Sequence, residues 1–448
     1  MSLTSNLVQL IRSKPVARED LDQAALMALD AAANFLAGAM TIPGETLIAW
    51  ARENGMLTDD GKFQGDAGRR ALLLGALCHI LEVDDLHRGS VVHPGCVVVP
   101  VLWSGLANGD GTRALTALLH GFEATTRLGM SVGAEHYRIW HNTATCGPFG
   151  SAMAAAYLLD LTDEQATHAL GNAGTQAAGL WQFLDTGAMS KHLHAGRGAE
   201  AGLVAALMAR HGFTGAPEIL EGARGFYAAT CPDARPDRLT ADASAPWQAH
   251  QTSIKPWPSC RHTHPAIDAA QELRRKLSND GVAAEAISSI EIRAYKAALA
   301  LCDRPEPDSL YAAKFSLQHC VAAALGEEEV WFDAFDAPMR EKLASLRSRC
   351  TVVIDDDIET AYPKNWGARV LVNMTDGRSL EAARAHAKGD PELPLNREEM
   401  KAKAIRLMRF GGIEGAEAFA DAILAMADGG PLPPLPMGYL AGAAGRLH

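Results

Sequence analysis

The chain has 448 residues, of which 48% are hydrophobic and 21% charged, ordinary globular usage that excludes a disordered chain and a coiled-coil array. Lys and Arg number 41 against 53 Asp and Glu, a formal net charge of −12, which excludes a general nucleic-acid binder with its basic face. No apolar run reaches about 18 residues, and the N-terminus lacks the basic-then-apolar pattern of a secretion signal. A protein with no nucleic-acid partner and no membrane segment, located in the cytoplasm, is expected.

Residues 20 to 215 predict a succession of helices. Residues 20–40 and 68–82 are rich in Ala and Leu at helical spacing, and 113–132, 148–160, 163–180 and 197–211 follow. Thr162 and Gln165 are spaced as a capping box. The many Ala and Gly residues predict close helix–helix approach. After about residue 255 the pattern changes. Residues 287–295 and 350–354 alternate apolar with polar, and 368–374 leads into a Thr-Asp-Gly turn. Helical stretches at 264–277, 310–325 and 336–347 lie between, and a helical pattern resumes at 396–427. The expected fold class is mainly α with an α+β insertion. An all-helical domain is formed by both chain ends, residues 1–255 and 396–448, and a smaller α+β domain spans 256–395. The eight cysteines show no CxxC and read as reduced, mostly buried thiols.

The chain has no GxGxxG after a strand, no GxxxxGK[ST], no HExxH and no GxSxG. Chemistry is concentrated instead in four histidine-bearing clusters. The first holds Glu82, Asp84, Asp85, His87, Arg88 and His93, directly after a buried-looking helix. Acids at a helix C-terminus oppose the dipole unless a cation or proton compensates. The second, with Tyr137, Trp140, His141, Thr143 and Thr145, precedes a helix expected near Pro148, whose free amides suit a carboxylate. The third (Lys191, His192, His194, Arg197) is placed between helices, and the fourth holds Lys255, Arg261, His262 and His264. Taken singly, each cluster is also explained by a solvated loop or a helix cap. Two dense cationic patches in an acidic chain, however, look like an anion trap. Zinc is the competing explanation, but no pair has the usual helical spacing and the interleaved cations repel a divalent ion, so no metal is expected.

At these clusters the sequence resembles the MmgE/PrpD family. The resemblance rests on Glu82-x-Asp84-Asp85 leading to His93-Pro94-Gly95, and on Trp140-His141-x-Thr143 leading to Gly147-x-x-Gly150. It continues through Lys191-x-x-His194-x-Gly196, Gly212 to Gly215 with Glu221-Gly222, and Lys255-x-x-Pro258-Ser259-Cys260. It implies a helical domain from both chain ends, an inserted α+β lid domain, a homodimer, and a site between the two domains that uses no cofactor. By motif position, Glu82, Asp84, Asp85 and His93 line one wall. His141 and Lys191 take the central acid/base positions, Lys255 arrives from the hinge, and Tyr137 falls where epimerase-like members carry a tyrosine. The chain departs from the family at Glu82, where aspartate is usual, at Leu86-His87-Arg88 in place of Thr-Trp, and at His192 in place of proline.

The implied chemistry is loss of a proton, or of CO2, next to a carboxylate of a small di- or tricarboxylic acid. The carbanion so formed needs fixed positive charge in a dry pocket. Lys191 and His141 are expected to exchange the proton, with Tyr137 as partner on the opposite face and Asp84 and His93 among the catalytic groups. Arg197, Arg261 and Lys255 are expected to push the Lys191 ammonium toward neutrality. Glu82, Asp85, His87, Arg88, His194, Lys255, Arg261 and His262 are expected to bind the substrate or orient the histidines. The leading reading is a lyase performing 2-methylcitrate dehydratase-like dehydration. Its alternatives are epimerisation of a dicarboxylate, as by an iminodisuccinate epimerase-like isomerase, and cis-aconitate decarboxylase-like loss of CO2. A metal-dependent hydrolase is the rival from another class.

Overall fold

Helices built on Ala, Leu and Gly make up most of the first of two units: residues up to Ile254 with those from Asn396 form one, and Lys255–Leu395 the other. The structure is a computed structural model and describes residues 2–436. The first unit contains α1 (Leu3–Ser13), α2 (Arg18–Gly38), α3 (Ile42–Glu53), α4 (Ala67–Cys78), α5 (Pro94–Val101), α6 (Gly111–Ser131), α7 (Ala134–Ile139), α8 (Asn142–Leu158), α9 (Asp163–Gly174) and α10 (Ser190–Arg210). The later helix Arg397–Phe410 belongs to the same unit and packs on α2.

The centre of this unit is α10 laid against α4 and α8, with α6 on the far side of α8. Close approach there depends on the absence of side chains. A Cβ at Gly202 would lie 2.1 Å from the Pro148 carbonyl oxygen, and one at Gly196 would lie 2.5 Å from that of Leu72. Glycine at these two positions lets α10 touch the backbones of both neighbours. The predicted capping box is present at Thr162 and Gln165.

Two boundaries differ from expectation in ways that matter. α8 begins at Asn142, with Pro148 inside it, because the hydroxyl-rich run preceding the proline is helical rather than loop. α10 begins at Ser190, so the Lys191–Arg197 cluster lies in its first two turns and not between helices. The polar run reads as loop in sequence. Its spacing nevertheless buries Lys191, Ala195 and Gly198 on one face and exposes Leu193 and Arg197 on the other.

The two ends of the unit are joined by a buried cation. Lys403, on the helix Arg397–Phe410, donates to Asp30 Oδ1 of α2 at 2.5 Å and to the Val83 carbonyl at 2.8 Å. A short antiparallel pair, β1 (Leu86–His87) with β2 (Thr252–Ser253), fixes the segment just beyond.

The second unit is α+β. Strands β3 (Ile287–Ala294), β4 (Cys350–Ile354), β5 (Ala368–Met374) and β6 (Ser379–Arg384) form one sheet in the order β4-β3-β5-β6. β3 runs parallel to β4 and antiparallel to β5, and β5 turns through Thr375-Asp376-Gly377 into an antiparallel β6. The helix His264–Asn279 packs on β5 and β6 and on the helix Leu317–Gly326. Ile287, Ile290, Ile292, Val370 and Val372 meet Ile267, Leu273 and Val321 in its core. The stretch expected as one helix over 310–325 is two, because the Ser316 hydroxyl caps a new start by accepting the His319 amide. All eight cysteines are buried and none forms a disulfide. Among the described residues no single helix is long and apolar enough to cross a membrane.

Candidate active site

The acidic cluster occupies the segment between α4 and α5, where the chain is too tightly folded for an ordinary backbone path. Glu82 has φ +62°, the left-handed region that a glutamate rarely adopts and that tends to gather at functional positions. The conformation turns its carboxylate to Lys191 Nζ of α10, and the two form a direct ion pair with both side chains buried. Asp84 lies two residues on and is 1% exposed. Its Oδ2 accepts a hydrogen bond from His79 Nδ1 at 2.6 Å and lies 3.2 Å from His93 Nδ1, an ion-pair contact. Burial alone would favour the neutral acid at Asp84. The two imidazoles converging on one oxygen outweigh it and hold the carboxyl well below its usual range.

α8 and α10 supply the facing groups. His141 caps the start of α8, its amide donating to the Gly179 carbonyl at 3.0 Å. Its Nδ1 lies 3.3 Å from His194 Nδ1. The His141 ring stacks on His79, centroids 5.6 Å apart and planes 16° apart, and packs against Trp181 at 4.6 Å. Burial, reinforced by His79 and the Lys191 charge, keeps the His141 imidazole far below its ordinary pKa, so it is a neutral base. His194 is lowered by two of these causes, burial first and then Lys191. Thr143 Oγ1 accepts the His93 amide at 3.1 Å and ties the start of α8 to that of α5. Tyr137 is half-buried, edge-on to Trp181 at 5.4 Å.

Glu82, Asp84, His93, His141, Lys191 and His194 are thus gathered in the first unit. Other residues of the expected set are turned to structural partners. Both Asp85 oxygens lie 3.0 Å from the Gly95 amide at the start of α5, where the helix dipole favours an acceptor. Burial, with the charges of Asp84 and Asp30, raises the Asp85 pKa well above normal. His87 spends Nδ1 on Ser90 Oγ at 2.9 Å and Nε2 on Gln248 Oε1 at 3.0 Å. Arg88 is partly buried beside it. Arg197 does not press on Lys191 as expected: its side chain is 56% exposed and pairs with Glu200 one turn along the outer face of α10. The partner that the fold gives Lys191 is a carboxylate, which favours an ammonium and not a neutral amine.

In the second unit Lys255 and Arg261 are buried near His262, and together with burial, the larger cause, they depress its pKa to about 3. His262 bonds the Tyr295 hydroxyl and stacks on Trp366 with centroids 4.5 Å apart. Arg261 pairs with Asp390 through Nη2, while its buried Nη1 has no hydrogen-bond partner among the described residues.

Three first-unit residues escaped the sequence reading: His79, Trp181 and Phe183. His79 ends an apolar helix with no polar neighbour to mark it, and Trp181 and Phe183 follow a stretch read as helical tail. Asp84 Oδ1 and Trp181 Nε1 are buried without a hydrogen-bond partner among the described residues, the condition expected of polar groups kept for a ligand. His79, Asp84 and Cys96 also bring potential metal-donor atoms within 4.8 Å of one another. The donor chemistry fits a metal poorly. The Asp84 oxygen already bridges two imidazoles, and burial, the largest cause, with Asp84 and Asp85 raises the Cys96 thiol well above its normal pKa, so it stays protonated.

Comparison with known proteins connects this arrangement to others. A family model of the MmgE/PrpD N-terminal domain matches residues 4–239, and one of the MmgE/PrpD C-terminal domain matches residues 257–427. The chain is 27% identical over 365 residues to the cis-aconitate decarboxylase-like protein oryM of Aspergillus oryzae, covering 74% of each chain. It is 26% identical over 349 residues to the cis-aconitate decarboxylase of Mus musculus, covering 74% of this chain and 70% of that one. With the alkylcitrate dehydratase phiI of a fungal species it shares 24% identity over 281 residues, covering 58% and 54%.

Proposed function

The chain belongs to the MmgE/PrpD family, and from that premise we propose that it is a lyase that removes a proton next to a carboxylate of a small di- or tricarboxylic acid and expels a hydroxyl from the neighbouring carbon. One observation carries this reading: two imidazole systems, His141 with His194 and His93 with Asp84, both contact the His79 ring, with a buried ammonium at Lys191. Dehydration needs a base and an acid at once, and this pair of systems supplies both.

Neutral His141 takes the proton, and the electron pair moves into the adjacent carboxylate. The Lys191 ammonium, oriented by Glu82, stabilises the doubled negative charge at that oxygen pair. The electron pair then returns from the carboxylate to form the C=C bond as the C–O bond breaks, and protonated His93, balanced by the Asp84 carboxylate, gives its Nε2 proton to the departing hydroxyl, which leaves as water. Tyr137 on the Trp181 side borders the same proton path. His194 binds a remaining carboxylate of the substrate, and the working form is a homodimer.

A second reading follows from the relatives' names: loss of CO2 from a cis-aconitate-like acid, in which Lys191 stabilises the same carbanion and an imidazole reprotonates it. Incubation with a panel of citrate-like and aconitate-like acids in D2O, followed by proton NMR, tests both. Dehydration products support the first reading and decarboxylated products the second. Deuterium uptake without conversion indicates epimerisation. No change in any acid overturns the proposal.

A further inference from the structure

We propose that His79, which no motif marks, is a positioning residue that sets the tautomer of His93 through Asp84; the inference deepens the reading above and takes from it the acid role of His93. His79 ends α4, is fully buried, and reaches Asp84 Oδ2 at 2.6 Å, the same oxygen that His93 Nδ1 approaches at 3.2 Å. A carboxylate can only accept. His79 therefore holds its proton on Nδ1, and the carboxylate oxygen 3.2 Å from His93 Nδ1 favours the proton there as well, which leaves His93 Nε2 to exchange a proton with a substrate. The His79 ring also lies edge-on to His93 at 4.6 Å and flat against His141 at 5.6 Å, so one side chain sets the ring planes of both working histidines.

His79 does not itself carry the proton. Its Nε2 is buried without a hydrogen-bond partner among the described residues, and burial keeps the ring neutral, its pKa pulled down to about 3. Its contribution is a second N–H on Asp84, which keeps that carboxylate ionised and aimed at His93.

Asparagine places an N–H where His79 has Nδ1, whereas leucine fills the space without a donor. Histidine side chains of the full-length protein are labelled with 15N, and the His93 signals are assigned by their loss in His93→Asn. Tautomer and titration midpoint of His93 are then read by NMR, a measurement independent of any substrate. The expected result is an Nδ1–H tautomer in the parent and in His79→Asn. In His79→Leu, a mixed tautomer and a midpoint shifted by about one pH unit are expected. On whichever acid the panel shows to react, His79→Leu lowers kcat about ten- to a hundredfold with KM unchanged, and His79→Asn restores it. A folded His79→Leu with unaltered His93 tautomer and midpoint overturns the proposal. If that variant does not fold, His79→Gln, whose amide reaches the Nε2 position instead, replaces it, and an unaltered His93 again overturns the proposal. If no acid reacts, the functional reading fails, yet the tautomer measurement still decides the role of His79.

Discussion

Glu82 and Lys191 meet as a buried ion pair across 109 residues of chain, the glutamate holding a left-handed backbone conformation to reach α10. An ammonium held in this way is a fixed positive charge facing the imidazoles, and it contributes to keeping His141 neutral. Its proposed work is therefore to stabilise a carbanion, with the base role passing to His141.

Lys191→Ala is expected to abolish turnover and also to cost about 3–5 kcal/mol of stability, because it removes the cation beside the buried Glu82 carboxylate. The double variant Glu82→Gln with Lys191→Met recovers most of that stability while remaining inactive. Urea unfolding by circular dichroism, beside the NMR turnover assay, checks both halves. A single variant as stable as the parent contradicts the pairing.

His141→Asn is expected to slow proton removal by about a hundredfold or more, measured as deuterium uptake into substrate. Since the His141 pKa is held far below its ordinary value, the base stays deprotonated through mildly acidic pH. The acid limb of kcat/KM is then expected well under pH 6.5, and a fall centred at the ordinary imidazole value contradicts His141 as the base.

Lys403 ties the far end of the chain to Asp30 and to the Val83 carbonyl, between the two acids of the site. Lys403→Met is expected to lower stability by about 3–5 kcal/mol by leaving Asp30 without this cation. Adding Asp30→Asn returns most of the loss. The urea midpoints of the two variants decide the matter.

Acid stability follows from the buried neutral imidazoles. Burial is the main cause that depresses His79, His120 and His262 to about 3. Unfolding frees them to bind protons below about pH 6.5, so the unfolded chain carries more protons between pH 6.5 and 3. Their contribution is complete above pH 6.5 and is lost as pH falls, on the order of 1 kcal/mol per pH unit for each group. Thermal melts from pH 7 to 4.5 are expected to show a steep drop in Tm; a flat profile shows that these rings are not held neutral.

Much of this protein is written locally. Helical spacing in 20–40 and 113–132 and alternation in 287–295 each depend on neighbours a few residues away, so the helical core and the small sheet were readable without coordinates. The residue types at Glu82, Asp84, His93, His141 and Lys191, with their spacings, were enough to point to the family. Side-chain partnership is not local. That Lys191 faces Glu82 and not Arg197 depends on which face of α10 is buried. That His79 belongs to the site depends on its ring reaching His141 at the start of α8, and that Lys403 braces the acidic segment depends on where the last helices pack. Those choices are made by close contact between distant backbones, at glycines such as Gly196 and Gly202, and no pattern along the chain encodes a contact whose two halves lie a hundred residues apart.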